Sequence, residues 1–115
     1  MIEKVILDYL QAQLNPVPVG LQEPSNQNPT PGNFVVIQRT GGGEDNKIKS
    51  ATFAIQSYGA TLLDACQLNE SVKSAMENII ELNSISRCKL QSDYEYTKLS
   101  TKHPRYQAVF DIVHY

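Results

Sequence analysis

Four side chains carry the thiol and imidazole chemistry of this 115-residue chain: Cys66, Cys88, His103 and His114. A thiolate beside an imidazole makes a nucleophile, and several such groups at short spacing make a metal site. No CxxC, HxxxH or other local ligand spacing occurs among them, so either role would need the fold to gather distant residues. Single cysteines serve more often as small hydrophobes than as reactive groups. The run Thr40-Gly41-Gly42-Gly43 offers backbone amides of the kind that cradle phosphate at a helix N-terminus. Here Glu44 and Asp45 follow at once, a strand comes next, and the lysine and hydroxyl residue of a P-loop do not stand at their required offsets. The residues therefore show no local catalytic or metal-ligand spacing and no phosphate loop, and leave open a Cys–His pair assembled by folding, with a hydrolytic role through Cys66 or Cys88. The glycine run reads instead as a hairpin tip, and a tip in a small protein can serve as an assembly arm.

Composition sets the frame for those residues. The chain has 41% hydrophobic and 19% charged residues, with ten basic against twelve acidic side chains and a net charge of −2. That predicts one soluble domain over residues 1–115, too small for two domains with a cleft between them. No apolar run reaches the roughly 18–20 residues of a membrane span. Met1-Ile2-Glu3-Lys4 lacks the head of a secretory signal, so a start in the cytosol is expected. A mild acidic balance argues against nucleic-acid binding as the main role, since phosphate backbones are met by basic excess.

The elements follow from periodicity. Ile2, Val5, Ile6, Tyr9, Leu10 and Leu14 recur at helical spacing, and Pro16 must end that helix near Asn15. Residues 15–33 hold five of the six prolines and form a long irregular loop. Phe34–Arg39 is apolar on both faces and reads as an interior strand. Thr40–Asn46 breaks it, and Lys47–Tyr58 resumes strand character, giving a hairpin with a long tip. Thr61 and Asp64 resemble a capping box. Behind them Ala65, Leu68, Val72, Ala75, Met76 and Ile79 mark the strongest helix, reaching Glu81. Ile85–Tyr96 alternates, with Cys88, Leu90, Tyr94 and Tyr96 on one side and Arg87, Lys89, Gln91 and Glu95 on the other. A polar turn, Thr97–Pro104, leads to a last strand in which Tyr106, Ala108, Phe110 and Ile112 share a face. The expectation is an α+β domain: a four-stranded, mainly antiparallel sheet backed by two helices, in the order helix, loop, hairpin, helix, hairpin.

Charge is unevenly placed within this frame. The second helix carries Asp64, Glu70, Glu77 and Glu81 against Lys73 alone, the solvated face expected opposite a core stripe. The last hairpin carries Arg87, Lys89, Lys98, Lys102 and Arg105 against Asp93 and Glu95. Opposed patches of this kind are either neighbours within one molecule or partners between copies, and a head-to-tail contact between copies builds rings.

Phe34-Val35-Val36-Ile37-Gln38-Arg39-Thr40-Gly41-Gly42, then Ala54-Ile55-Gln56-Ser57-Tyr58-Gly59, the helix with Ala65, Leu68 and Val72, and His103-Pro104-Arg105-Tyr106-Gln107-Ala108 form an ordered series across the chain. The series resembles the tail terminator, or tail completion, proteins of long-tailed bacteriophages and prophages. Ser92-Asp93-Tyr94-Glu95-Tyr96 departs from the more aromatic or proline-bearing segment of many members. The resemblance implies a small α+β domain that forms a hexameric ring on the last ring of the tail tube, stops its polymerisation and offers a surface to the head-tail connector. It implies no enzymatic activity and no cofactor. The expected partners are further copies of the chain, the tail tube protein and the connector. The expected location is the virion tail, with the host cytoplasm during assembly. Arg39, Thr40, Gly41 and Gly42 at the first hairpin and Arg105, Tyr106 and Gln107 at the last strand match the family pattern. With Gly43, Glu44 and Asp45 of the tip they are the candidate assembly residues. Each also has a plainer role in the sheet: glycines in a turn, Tyr106 in the core, Arg105 against a cross-strand partner. Two alternatives stand beside this one. They are another head-tail neck protein and, in a different class, a small-molecule-binding regulatory domain, because fold does not fix function.

Overall fold

The computed structural model describes residues 1–22, 32–97 and 103–115. Within them the chain is α+β, with α1 (Ile2–Leu14), β1 (Val19–Gly20), β2 (Phe34–Asp45), β3 (Ile48–Tyr58), α2 (Leu62–Glu77), a 3-10 turn (Ile79–Glu81), β4 (Ile85–Glu95) and β5 (Arg105–His114). The strands form one sheet in the order β1-β2-β3-β5-β4, with β1 parallel to β2 and every other pair antiparallel. The sheet is thus five-stranded and mixed among the described residues, not four-stranded as expected. The extra strand is only two residues long and lies in the stretch predicted to be irregular, too short for any periodicity to announce it.

Both helices cover one face of the sheet. Ile2, Ile6, Leu10 and Leu14 of α1 and Ala65, Leu68, Val72, Ala75 and Met76 of α2 are buried against Val35, Ile37, Phe53, Ile55, Ala108, Phe110 and Ile112. The apolar stripes are those that helical spacing requires. The Tyr9 hydroxyl donates to the Ala75 carbonyl oxygen at 2.6 Å and ties the helices together. At the start of α2 the Thr61 hydroxyl accepts from the Asp64 amide at 3.1 Å, satisfying one of the donors a helix start leaves unpaired. The helix ends at Glu77, and Glu81 falls in the following 3-10 turn.

Two departures in the strands matter for function. Thr40–Asn46 is not a loop. β2 continues through the glycines to Asp45, paired to β3, with one bulge between Arg39 and Gly41. The turn is only Asn46-Lys47, both at positive φ (51° and 66°), the backbone a two-residue hairpin needs. Glycines that lack β propensity are held in the strand by cross-strand pairing with Ala51, Ser50 and their neighbours, a tertiary effect that overrides local preference. The second departure is in β4, where bulges fall between Ile85 and Arg87 and between Leu90 and Ser92. A residue inserted into a strand reverses the faces beyond it. Cys88 and Leu90 therefore lie opposite Ile112 and Phe110 on the helix side, whereas Tyr94 lies opposite Gln107 on the other side. The expected single face of Cys88, Leu90, Tyr94 and Tyr96 does not exist.

Candidate functional site

The molecule is elongated, 46 × 25 × 25 Å, and the ten candidate residues divide between its two ends. Arg39 through Asp45 lie on the hairpin arm, and every residue from Gln38 to Asp45 is exposed. The Arg39 guanidinium approaches Glu3 of α1 at 3.6 Å, and its Nε donates to the Gly41 carbonyl oxygen at 3.2 Å. The Thr40 hydroxyl donates to the Thr52 carbonyl oxygen at 3.3 Å across the bulge. A Cβ at Gly42 would meet the Ser50 carbonyl oxygen at 2.6 Å, so the close strand pairing there needs glycine. Glu44 lies opposite Lys49, and Lys47 occupies the turn, so the arm's tip carries both signs of charge.

Arg105 and Gln107 sit at the other end, on the sheet face that the helices leave uncovered. Register explains why they act together: Tyr58 lies opposite both Phe34 and Arg105, and Gln56 lies opposite Gln107. Phe34 and Tyr58 stack with centroids 4.4 Å apart, and His103 stands edge-on to both rings at 5.5 and 5.2 Å. The Arg105 guanidinium carbon lies 4.3 Å from the centre of the Tyr96 ring and 5.4 Å from that of Tyr58, within cation–π range. Arg105 donates through Nη1 to the Tyr58 hydroxyl at 2.8 Å and through Nε to the Tyr96 carbonyl oxygen at 2.6 Å.

From there a chain of hydrogen bonds crosses three strands. The Tyr58 hydroxyl donates to Gln56 Oε1 at 3.3 Å, Gln56 Nε2 to Gln107 Oε1 at 2.9 Å, and Gln107 Nε2 to the Tyr94 hydroxyl at 2.6 Å. Phe34, Gln56 and Tyr58 are each more than nine-tenths buried. Tyr94 and Tyr96 remain 42% and 47% exposed beside them. A connected polar lattice carrying exposed tyrosines and an arginine matches the residue types that dominate protein interfaces. Tyr106 is separated from this cluster. It points to the helix side, where hydrogen bonding with the Cys66 thiol holds its phenol above the usual range. Tyr58, Gln56, Phe34, Tyr94, Tyr96 and His103 were not among the candidates, and the signal was the alignment of Gln56-Ser57-Tyr58 with Arg105-Tyr106-Gln107, which only strand register reveals.

The remaining chemistry-bearing groups are dispersed. Burial pushes the Cys88 thiol up to about 11, the opposite of the shift that activates a nucleophile. Among the described residues no group of three or more His, Cys, Asp or Glu side chains gathers into a metal site, and no helix is long and apolar enough to cross a membrane. One ion pair joins the two elements through their minority charges: Lys73, the lone base of α2, bridges Asp93 of β4 at 2.5 Å and Glu70 at 3.0 Å, and these bonds raise its pKa. Arg87 and Lys89 instead face the side of the sheet away from α2, so most of the acidic and basic surfaces lie on opposite sides of the molecule. Lys98 and Lys102 lie outside the described residues.

Fold and site together define an elongated α+β domain with an exposed strand arm at one end and an aromatic–guanidinium cluster at the other. No protein-family model matches this chain, and no curated protein matches it.

Proposed function

We propose that this chain is a virion assembly protein of a long-tailed phage or prophage. In this reading it forms a ring, hexameric as in the family it resembles, at the head-proximal end of the tail tube. There it ends tube polymerisation and presents a surface to the head-tail connector. The observation that carries the reading is the convergence of the resembling residues. Phe34, Gln56, Tyr58, His103, Arg105 and Gln107, far apart in sequence, meet in one cluster, while Arg39–Gly43 forms the arm at the far end. Different surfaces at opposite ends suit a head-to-tail contact, and such contacts close into rings when the rotation per copy permits. The role is structural: the tyrosines, Arg105 and the arm bind other proteins, and no bond is made or broken. Its partners are further copies, the tail tube protein and the connector, and its place is the virion tail, reached from the host cytoplasm during assembly.

Adding the purified protein to polymerising tail tubes tests this. Tubes are expected to stop growing and to carry a ring at one end. Unchanged growth, with the protein left in solution, contradicts the proposal. Detection on separated heads but not on separated tails would instead favour a capsid-side neck protein.

A further inference from the structure

Among the described residues the outer edge of β2 is open beyond Val36. Among the described residues β1 covers only Val35 and Val36, and the exposed stretch from Gln38 to Asp45 has β3 on one side and no strand on the other. An open edge is a template for another strand, which proteins usually blunt with lysine, proline or bulges. β2 carries a single bulge and three successive glycines, which leave its backbone groups accessible. The sheet's opposite margin, β4, is likewise paired on one side only among the described residues. Two different open edges on one chain permit head-to-tail joining of copies, whereas an edge paired with itself stops at a dimer.

We propose that β2 of one copy adds antiparallel to β4 of the next, with Arg39 opposite Glu95 and Asp45 opposite Lys89. The proposal deepens the assembly reading and rests on it. Direction is the first support: an antiparallel approach sets the basic start of this stretch against the acidic end of β4, and the acidic tip against the basic half. Faces are the second. Arg39 lies opposite Phe53 on the helix side, as Glu95 lies opposite Tyr106, while Asp45 opposite Ile48 and Lys89 opposite Asp111 both belong to the uncovered side. Length is the third. The bulges at Thr40 and Gln91 each remove one residue from their ladders, so Arg39, Gly41, Gly42, Gly43, Glu44 and Asp45 match Glu95, Tyr94, Asp93, Ser92, Leu90 and Lys89 one for one.

This register also places the half-exposed Tyr94 ring over Gly41, a cross-strand pairing in which an aromatic covers a glycine. A register slipped by two would set Arg39 against Asp93, whose carboxylate Lys73 already holds at 2.5 Å. Asp111, opposite Lys89 within its own sheet, accepts from Thr52 at 2.9 Å and from Gln91. Among the described residues neither Lys89 nor Asp45 has an ion-pair partner in its own chain.

The test mixes a Gly43→Cys protein with a Ser92→Cys protein in the presence of tail tubes under mild oxidation. A Cβ at Gly43 finds its nearest neighbour, Ser50 Oγ, at 4.0 Å, so the strand accepts the change. A disulfide joining position 43 of one copy to position 92 of another is expected in the mixture and in neither protein alone. As a second arm, Asp45→Lys and Lys89→Asp are each expected to weaken association by roughly tenfold or more through like-charge contact, and the double variant to recover it. Rings or capped tubes in which position 43 joins any other site, or in which the double variant shows no recovery, overturn the edge contact and leave the assembly reading intact. Protein that never associates overturns both.

Discussion

Arg105 of β5 joins Tyr58 of β3 to Tyr96 just beyond β4, so its removal has a definite consequence. Arg105→Ala deletes two charge-assisted hydrogen bonds and a guanidinium stacked against Tyr96, and leaves the nearly buried Tyr58 hydroxyl without that donor. Hydrogen bonds of this kind contribute about 1.5–3 kcal/mol, so the unfolding free energy read from urea titration is expected to fall by an amount in that range, and Arg105→Lys to recover little of it because an ammonium lacks the planar fork. A midpoint unchanged in Arg105→Ala would show that the cluster adds nothing to stability. Cys88 supplies a pH dependence of known sign. Its thiol is raised from an ordinary 9.0 to about 11 by burial, so the folded state keeps a proton that the unfolded chain loses. The resulting stability is fully present below pH 9 and is lost as pH rises through about 11. The stability difference between wild type and Cys88→Ala should therefore shrink over that interval, and alkylation of Cys88 should titrate near the upper value. A midpoint near 9 would show that the side chain is open to water. At this scale the sequence identified Arg105 and Gln107, but not the buried partners that give them a setting. Gln56 and Tyr58 resemble ordinary polar strand residues until their register brings them opposite the last strand.

The elements divide by how their signals arise. Both helices were legible because their apolar spacing and the Thr61 cap are local features. Thr61→Ala is expected to cost about 1 kcal/mol, the usual loss of an N-cap hydroxyl. Gly59→Ala is expected to cost more, because an added Cβ would collide with the backbone at Asp64 and Ala65 in the first turn of α2. Denaturant unfolding of the two variants checks the ranking, and an equal or reversed order would contradict this account of the β3–α2 junction. The bulges at Thr40 and Gln91 were not legible, since a bulge inserts a residue without a marker of its own and shows only when two strands are laid side by side. Pairing of the glycines with β3 turned an expected loop into a strand, and the bulge at Gln91 turned an expected single face into two. Strand β1 escaped notice for a different reason: its two residues owe their state to Val35 and Val36.

At the scale of the whole molecule, the division of features matters more than any single residue. The aromatic cluster and the arm lie at opposite ends of a 46 Å body, and the acidic helix and the basic side chains Arg87 and Lys89 of β4 lie on opposite sides of the sheet. The α+β class, the element order and the helix-facing core were readable from residue periodicity. The fifth strand, the arm and the separation of the two candidate groups required the fold, because they depend on contacts between residues distant in sequence. A mixed charge pattern with an overall value of −2 gives weak non-specific association while permitting matched contacts between copies. Electron microscopy of particles made without this chain is the most direct measurement of the central claim. Abnormally long or unjoined tail tubes are predicted, corrected when the protein is restored; tails of normal length joined to heads would contradict it.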